Sequence, residues 1–138
     1  MKHILFLCFL LILLIPLISA CHKRTSSTTM QNTKTSDICF TDTLHNFGTI
    51  PLSQPIDSFD FKFTNCGQKK LVILGVEVSC RCTKVYYSHA PIEPDKESFI
   101  RVIYDARGHQ PEYFNKSIKV ISNAKKDIVT LKISGNLQ

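Results

Sequence analysis

The residues best equipped for chemistry are cysteines, and their spacing gives them different prospects. Cys80-Arg81-Cys82 places two thiols two residues apart. On a regular strand both point to one face with α-carbons roughly 6–7 Å apart, so a bond between them requires a turn or bulge. A bridge so constrained is readily reduced, which suits thiol exchange, and the cation of Arg81 favours thiolate. Two thiolates also suit a soft ion such as Cu(I), with His89, His45 or His109 as a further ligand. The plain alternative is a structural disulfide, and no second Cys/His cluster at zinc-finger spacing appears.

Cys21 follows Ile18-Ser19-Ala20, an aliphatic residue and two small ones. Met1-Lys2-His3 and an apolar run from Ile4 come before it, in the basic-then-apolar order of a secretory signal. The segment resembles a bacterial lipoprotein signal, so residues 1–20 are expected to be removed and Cys21 to be acylated. An uncleaved anchor is the rival, but Ile4 to Leu17 is fourteen residues, short of the roughly 20 that cross a bilayer. Several acyl chains would hold the mature chain at a membrane. His22-Lys23-Arg24 carries no acidic cluster after the acylated cysteine, which favours the periplasmic side of the cell envelope.

Cys39 and Cys66 remain, in a compartment where pairing is the default. Pro51-Leu52-Ser53-Gln54-Pro55 is a turn. If it closes a hairpin, positions whose numbers sum to about 105 face each other, as Cys39 and Cys66 do. A directly opposed pair lies within disulfide range, and a closed loop of this length implies roughly 3 kcal/mol of stabilisation.

The elements that must hold these residues are strands. Residues 21–37 are mostly Ser, Thr, Asn, Gln and Lys with one Met30, too polar for a core, and are expected to be the lipidated N-terminus and a disordered tether. From residue 38 to residue 138 the chain alternates with a period of two and breaks every ten residues or so at Pro, Gly, Asn or Asp. Ile38 to Phe47 forms the first strand. Phe59, Phe61 and Phe63 line one side of the second, opposite Asp60 and Lys62. Leu71 to Val78, nearly all aliphatic, is expected to be a central strand, with Thr83 to Tyr87 continuing it or forming a short edge. Ile100, Val102 and Tyr104 alternate with Arg101 and Ile103, and Phe114–Ile121 and Ile128–Ile133 form a final hairpin. The fold class is all-β, an immunoglobulin-like antiparallel β-sandwich of about seven strands; an open barrel is the alternative.

Leu44-His45-Asn46-Phe47-Gly48-Thr49-Ile50, Phe63-Thr64-Asn65, Ser79-Cys80-Arg81-Cys82-Thr83, Tyr104-Asp105, Phe114-Asn115-Lys116 and Ser122-Asn123-Ala124 come in the order of a known signature. Residues 38–136 resemble the domain of unknown function 1573, itself similar to Hydin-type immunoglobulin-like domains. The resemblance implies the sandwich and a binding or assembly role in secreted and lipid-anchored bacterial proteins, with no established activity. Arg81 stands where that family has Gly between the cysteines, and Cys39 and Cys66 look like additions.

The remaining signals exclude rather than select. Losing residues 1–20 removes one of seventeen basic residues and lowers the net charge from +6 to +5. No basic block exceeds two residues, and no aromatic interleaving of the nucleic-acid kind is present. Asp105 and Glu112 make no acid–base pair, and there is no nucleophile elbow or phosphate-cradling glycine run. His45 reads as a strand residue and His109 as a solvated loop residue. The expectation is a non-enzymatic envelope module, without catalytic residues or cofactor, that meets a protein or glycan. The rival is a periplasmic thiol-redox or Cu(I)-handling protein using Cys80 and Cys82, with His89 nearby.

Overall fold

A computed structural model describes residues 35–138. The expected signal peptide, the acylated Cys21 and most of the tether lie outside the described residues.

Eight strands follow in chain order: β1 (Ile38–Phe40), β2 (Leu44–Ile50), β3 (Ile56–Asn65), β4 (Ile73–Val78), β5 (Thr83–Tyr87), β6 (Glu97–Asp105), β7 (Glu112–Ser122) and β8 (Ile128–Leu137). They form two four-stranded sheets, ordered β1-β3-β6-β5 and β2-β8-β7-β4. The chain is an all-β sandwich, as its alternation implies, and the described residues contain no helix.

The core lies between the sheets because the alternation is in phase on both. Phe61 and Phe63 from β3 and Ile100, Val102 and Tyr104 from β6 are buried against Phe114, Ile118 and Val120 from β7 and Leu131 and Ile133 from β8. Each such side chain contributes about 1.5–3 kcal/mol by leaving water. Tyr104 stacks on Phe114 with ring centroids 3.9 Å apart. Its hydroxyl is buried without a hydrogen-bond partner among the described residues, and burial raises its pKa. Asn65 is the polar pin: fully buried, it donates from Nδ2 to the carbonyls of Lys69 and Ile92 and accepts from Gly67 N–H.

Three expectations about strands are corrected. The stretch from Ile38 to Phe47 is two strands, not one. After Thr41 N–H donates to Lys62 O, the chain crosses at Thr41–Thr43 and β2 joins the other sheet. There it runs parallel to β8, with Leu44 opposite Lys132 and His45 opposite Ile133, the one parallel ladder among antiparallel ones. The first two pairing strands are therefore not joined by the Pro51–Pro55 turn, and their register differs: Cys39 faces Thr64, not Cys66.

β4 is an edge strand and not a central one. Its ladder to β7 shifts register between Ile73 and Gly75, and Leu74 is 64% exposed, so an aliphatic run here does not mean cover on both faces. Of the two alternatives for Thr83 to Tyr87, the short edge is the one found: β5 does not continue β4 but ends the other sheet, against β6.

Residues 35–37, read as the end of the tether, are tied down. Ser36 bridges Ala124 in parallel and donates its hydroxyl to Asn123 O, and Gln68 N–H donates to Thr35 O. Gly67 permits this approach, since a β-carbon there would lie 2.3 Å from Asp37 N.

Candidate functional site

The chain changes sheets for the fourth time between β4 and β5, and the paired cysteines occupy that crossing. Thr83 N–H donates to Cys80 O at 3.1 Å, closing a turn that brings the two cysteine α-carbons to 5.2 Å, where their sulfurs are bonded. That is shorter than a regular strand allows. Cys80 is half-buried and Cys82 is 7% exposed. The Cys82 N–H donates to Cys80 Sγ at 3.1 Å, and Thr83 Oγ1 lies 3.9 Å from Cys82 Sγ.

Cys82 opens onto a shallow cavity of about 500 Å³ shared with Arg81, Asp105, Arg107 and His109. β6 ends at Asp105 and the following loop carries the other two side chains, because Asp105 N–H donates to Cys82 O and so fixes the end of β6 against the cysteine turn. Arg107 grips Asp105 with two hydrogen bonds of 2.8 and 2.7 Å, and Lys84 adds a third at 3.3 Å. The Arg107 guanidinium, more than Lys84, holds the Asp105 carboxyl well below the usual carboxylate range. His109 Nδ1 lies 3.3 Å from Glu112 Oε1. Arg81 is exposed and forms no ion pair among the described residues.

The histidines proposed as further ligands are not brought to the cysteines, with the exception of His109. His89 is exposed beyond the far end of β5, beside the Tyr87 ring at 4.6 Å. Six nearly extended residues lie between it and Cys82, roughly 20 Å of chain. His45 lies on β2 with its ring stacked on Phe59 at 3.6 Å and edge-on to Phe47 at 4.6 Å; burial pushes its pKa down, against the pull of Asp57 and Asp42. No three metal-binding side chains converge among the described residues. Cys39 and Cys66 are bonded, with α-carbons 5.9 Å apart. The bond is diagonal, since Cys66 lies just past the end of β3.

A second feature escaped the sequence reading. On the outward face of β5 and β6, Tyr86, Phe99 and Ile103 border a groove of about 560 Å³ with Arg101. Tyr86 is 58% and Phe99 44% exposed. Arg101 lies 5.4 Å above the Phe99 ring and pairs bidentately with Asp60 of β3. The signal was present: with Ile100, Val102 and Tyr104 turned inward, Phe99 and Ile103 share the solvent face. The outward positions of the opposite sheet are mostly polar, among them Asn115, Lys119, Thr130 and Lys132.

Two facing four-stranded sheets joined by five chain crossings define a small immunoglobulin-like β-sandwich carrying two disulfides. Solved structures agree on the fold. A protein of unknown function from Porphyromonas gingivalis W83 superposes with a TM-score of 0.64 at 16% identity, over 81% of this chain and 51% of its own. The PapD-like domain 7 of human CEP192 gives 0.52 at 12% identity, over 89% and 98%, and the periplasmic chaperone SfaE gives 0.50 at 14%, over 73% and 57%. The chain spans about half the length of the Porphyromonas structure. No curated protein matches the sequence. The chain belongs to the family described as protein of unknown function DUF1573, whose model matches residues 38–137.

Proposed function

We propose that this protein is a non-enzymatic envelope module that captures an extended segment of another polypeptide along β5. The observation that carries the reading is the coincidence of an open strand edge with an apolar outward face. β5 is terminal in its sheet. Because Asp105 N–H bonds Cys82 O and Thr83 faces Tyr104, alternate residues of β5 bond to β6, and the N–H and C=O groups of Val85 and Tyr87 point outward. Such an edge is a template for an added strand, with neighbouring side chains giving selectivity. The likeness in fold to a periplasmic chaperone is consistent with a role of this kind. Acylation of Cys21 would hold the module at a membrane on the periplasmic side. A glycan partner would use the aromatic face without the backbone edge.

The test places a photo-crosslinking residue at Tyr86 or, as control, at Ser117 on the opposite sheet, in the full chain expressed in cells. An adduct from position 86 alone is expected. Val85→Pro, which removes one outward N–H and is tolerated at an edge, should abolish that adduct. Adducts equal at both positions, or indifferent to the proline, would exclude strand addition. Cys21→Ser tests the anchor separately and should release the protein from the membrane fraction.

A further inference from the structure

The turn between β4 and β5 carries a second activity, independent of strand capture. We infer that Cys80–Cys82 is an exchangeable disulfide that oxidises thiols, with Cys80 as the attacked sulfur and Cys82 as the leaving thiolate. Three observations bear on that polarity, and a fourth on how readily the bond opens. Cys80 is the more exposed of the two, so an incoming thiolate reaches its sulfur first. The N–H of Cys82 donates to Cys80 Sγ and stabilises the negative charge that Cys80 takes when it leaves in the second exchange.

The leaving side is built for negative charge. Cys82 lines the cavity that also holds Arg81, Arg107 and His109, and the Thr83 hydroxyl lies 3.9 Å from its sulfur. Cations beside a thiol lower its pKa, and a lower leaving-group pKa speeds exchange. Arg107 is partly spent on Asp105, which leaves Arg81 as the cation without a competing carboxylate among the described residues.

The fourth observation is the contrast with Cys39–Cys66. That bond closes a loop with a sequence separation of 27, whereas Cys80–Cys82 has a separation of 2. A short closure restricts the unfolded chain least, so folding protects Cys80–Cys82 less against reduction.

The reaction balances as a two-electron transfer. A substrate thiolate attacks Cys80 Sγ, forming a mixed disulfide as the Cys80–Cys82 bond breaks and its electron pair goes to Cys82. A second thiolate of the same substrate attacks the substrate sulfur of the mixed disulfide, and Cys80 leaves. The substrate dithiol is oxidised to a disulfide, and its two protons end on Cys80 and Cys82. The substrate class is a polypeptide dithiol exposed in the envelope; β5 begins at the very next residue, so a segment lying along it would place its cysteines beside the turn.

The test uses the mature protein and a brief exposure to limiting glutathione, so that the mixed disulfide is trapped by acid before a second glutathione or Cys82 resolves it. After acid quenching and alkylation, peptide mass spectrometry is expected to find glutathione on Cys80, alkyl on Cys82, and Cys39–Cys66 intact. Arg81→Gln, at an exposed side chain with no ion pair among the described residues, should leave the melting temperature unchanged, and both it and Arg107→Gln should slow the opening roughly three- to tenfold. Glutathione on Cys82, equal resistance of the two bonds, or a rate indifferent to both arginine substitutions overturns the assignment. Because a free monothiol needs no docking on β5, these outcomes are unaffected by failure of the strand-capture reading.

Discussion

At the scale of single residues, chemistry and packing were unequally visible in the sequence. The cysteine pair was legible because spacing alone demands a turn. Its surroundings were not: Arg107 and His109 reach Cys82 only because β6 ends against the cysteine turn, a contact made across more than twenty residues. His45 illustrates the converse, a histidine eligible as a ligand by type that is a packed aromatic by position. Desolvation lowers its pKa from 6.5 in the fold, so the unfolded chain takes up a proton first as the pH falls. The neutral ring's contribution is therefore complete above about 6.5 and declines as pH falls through the depressed folded value. His45→Phe should remove that decline. The stability difference between wild type and variant, measured by urea unfolding, should shift in favour of the variant between about pH 7.5 and about pH 5.5. A difference constant across that range would show that the ring does not titrate as its burial requires.

Among the elements, period-two alternation identified which side chains face inward, and inward-facing residues from Phe61 to Ile133 are buried as that phase requires. Strand partners were harder to read. A turn such as Pro51–Pro55 states where the chain reverses but not whether it also changes sheets, and the polar triplet Thr41-Asp42-Thr43 was not recognised as a crossing. That omission shifted the pairing of Cys39 by two residues, a displacement that keeps each side chain on its own face and so leaves the bond between Cys39 and Cys66 feasible. The bond adds a covalent tie to the three-pair ladder that holds the three-residue β1 on β3. Replacing both cysteines by Ala should cost about 3 kcal/mol, read as an earlier urea midpoint with β1 amides losing exchange protection before those of β3. No change in midpoint would indicate that the two thiols are not bonded in the native protein.

The whole molecule is governed by pairings between distant parts of the chain. Among the described residues β2 finds its only ladder partner in β8, and β8 is flanked on its other side by β7. Domains dominated by such contacts fold slowly, in about milliseconds to seconds, and β3, β6, β7 and β8 should carry the slowest amide exchange. Deleting Ile128–Leu137 should leave β2 unpaired and yield a chain that lacks cooperative unfolding by circular dichroism; a cooperative transition in the shortened chain would refute the dependence of one sheet on its central strand. The same arrangement has a consequence for a polypeptide delivered N-terminus first, from a ribosome or through a membrane pore. The slot beside β2 is vacant until Leu137 has emerged, so most of the chain passes in a threadable state, and the timing of sheet closure is written into the order in which its strands arrive.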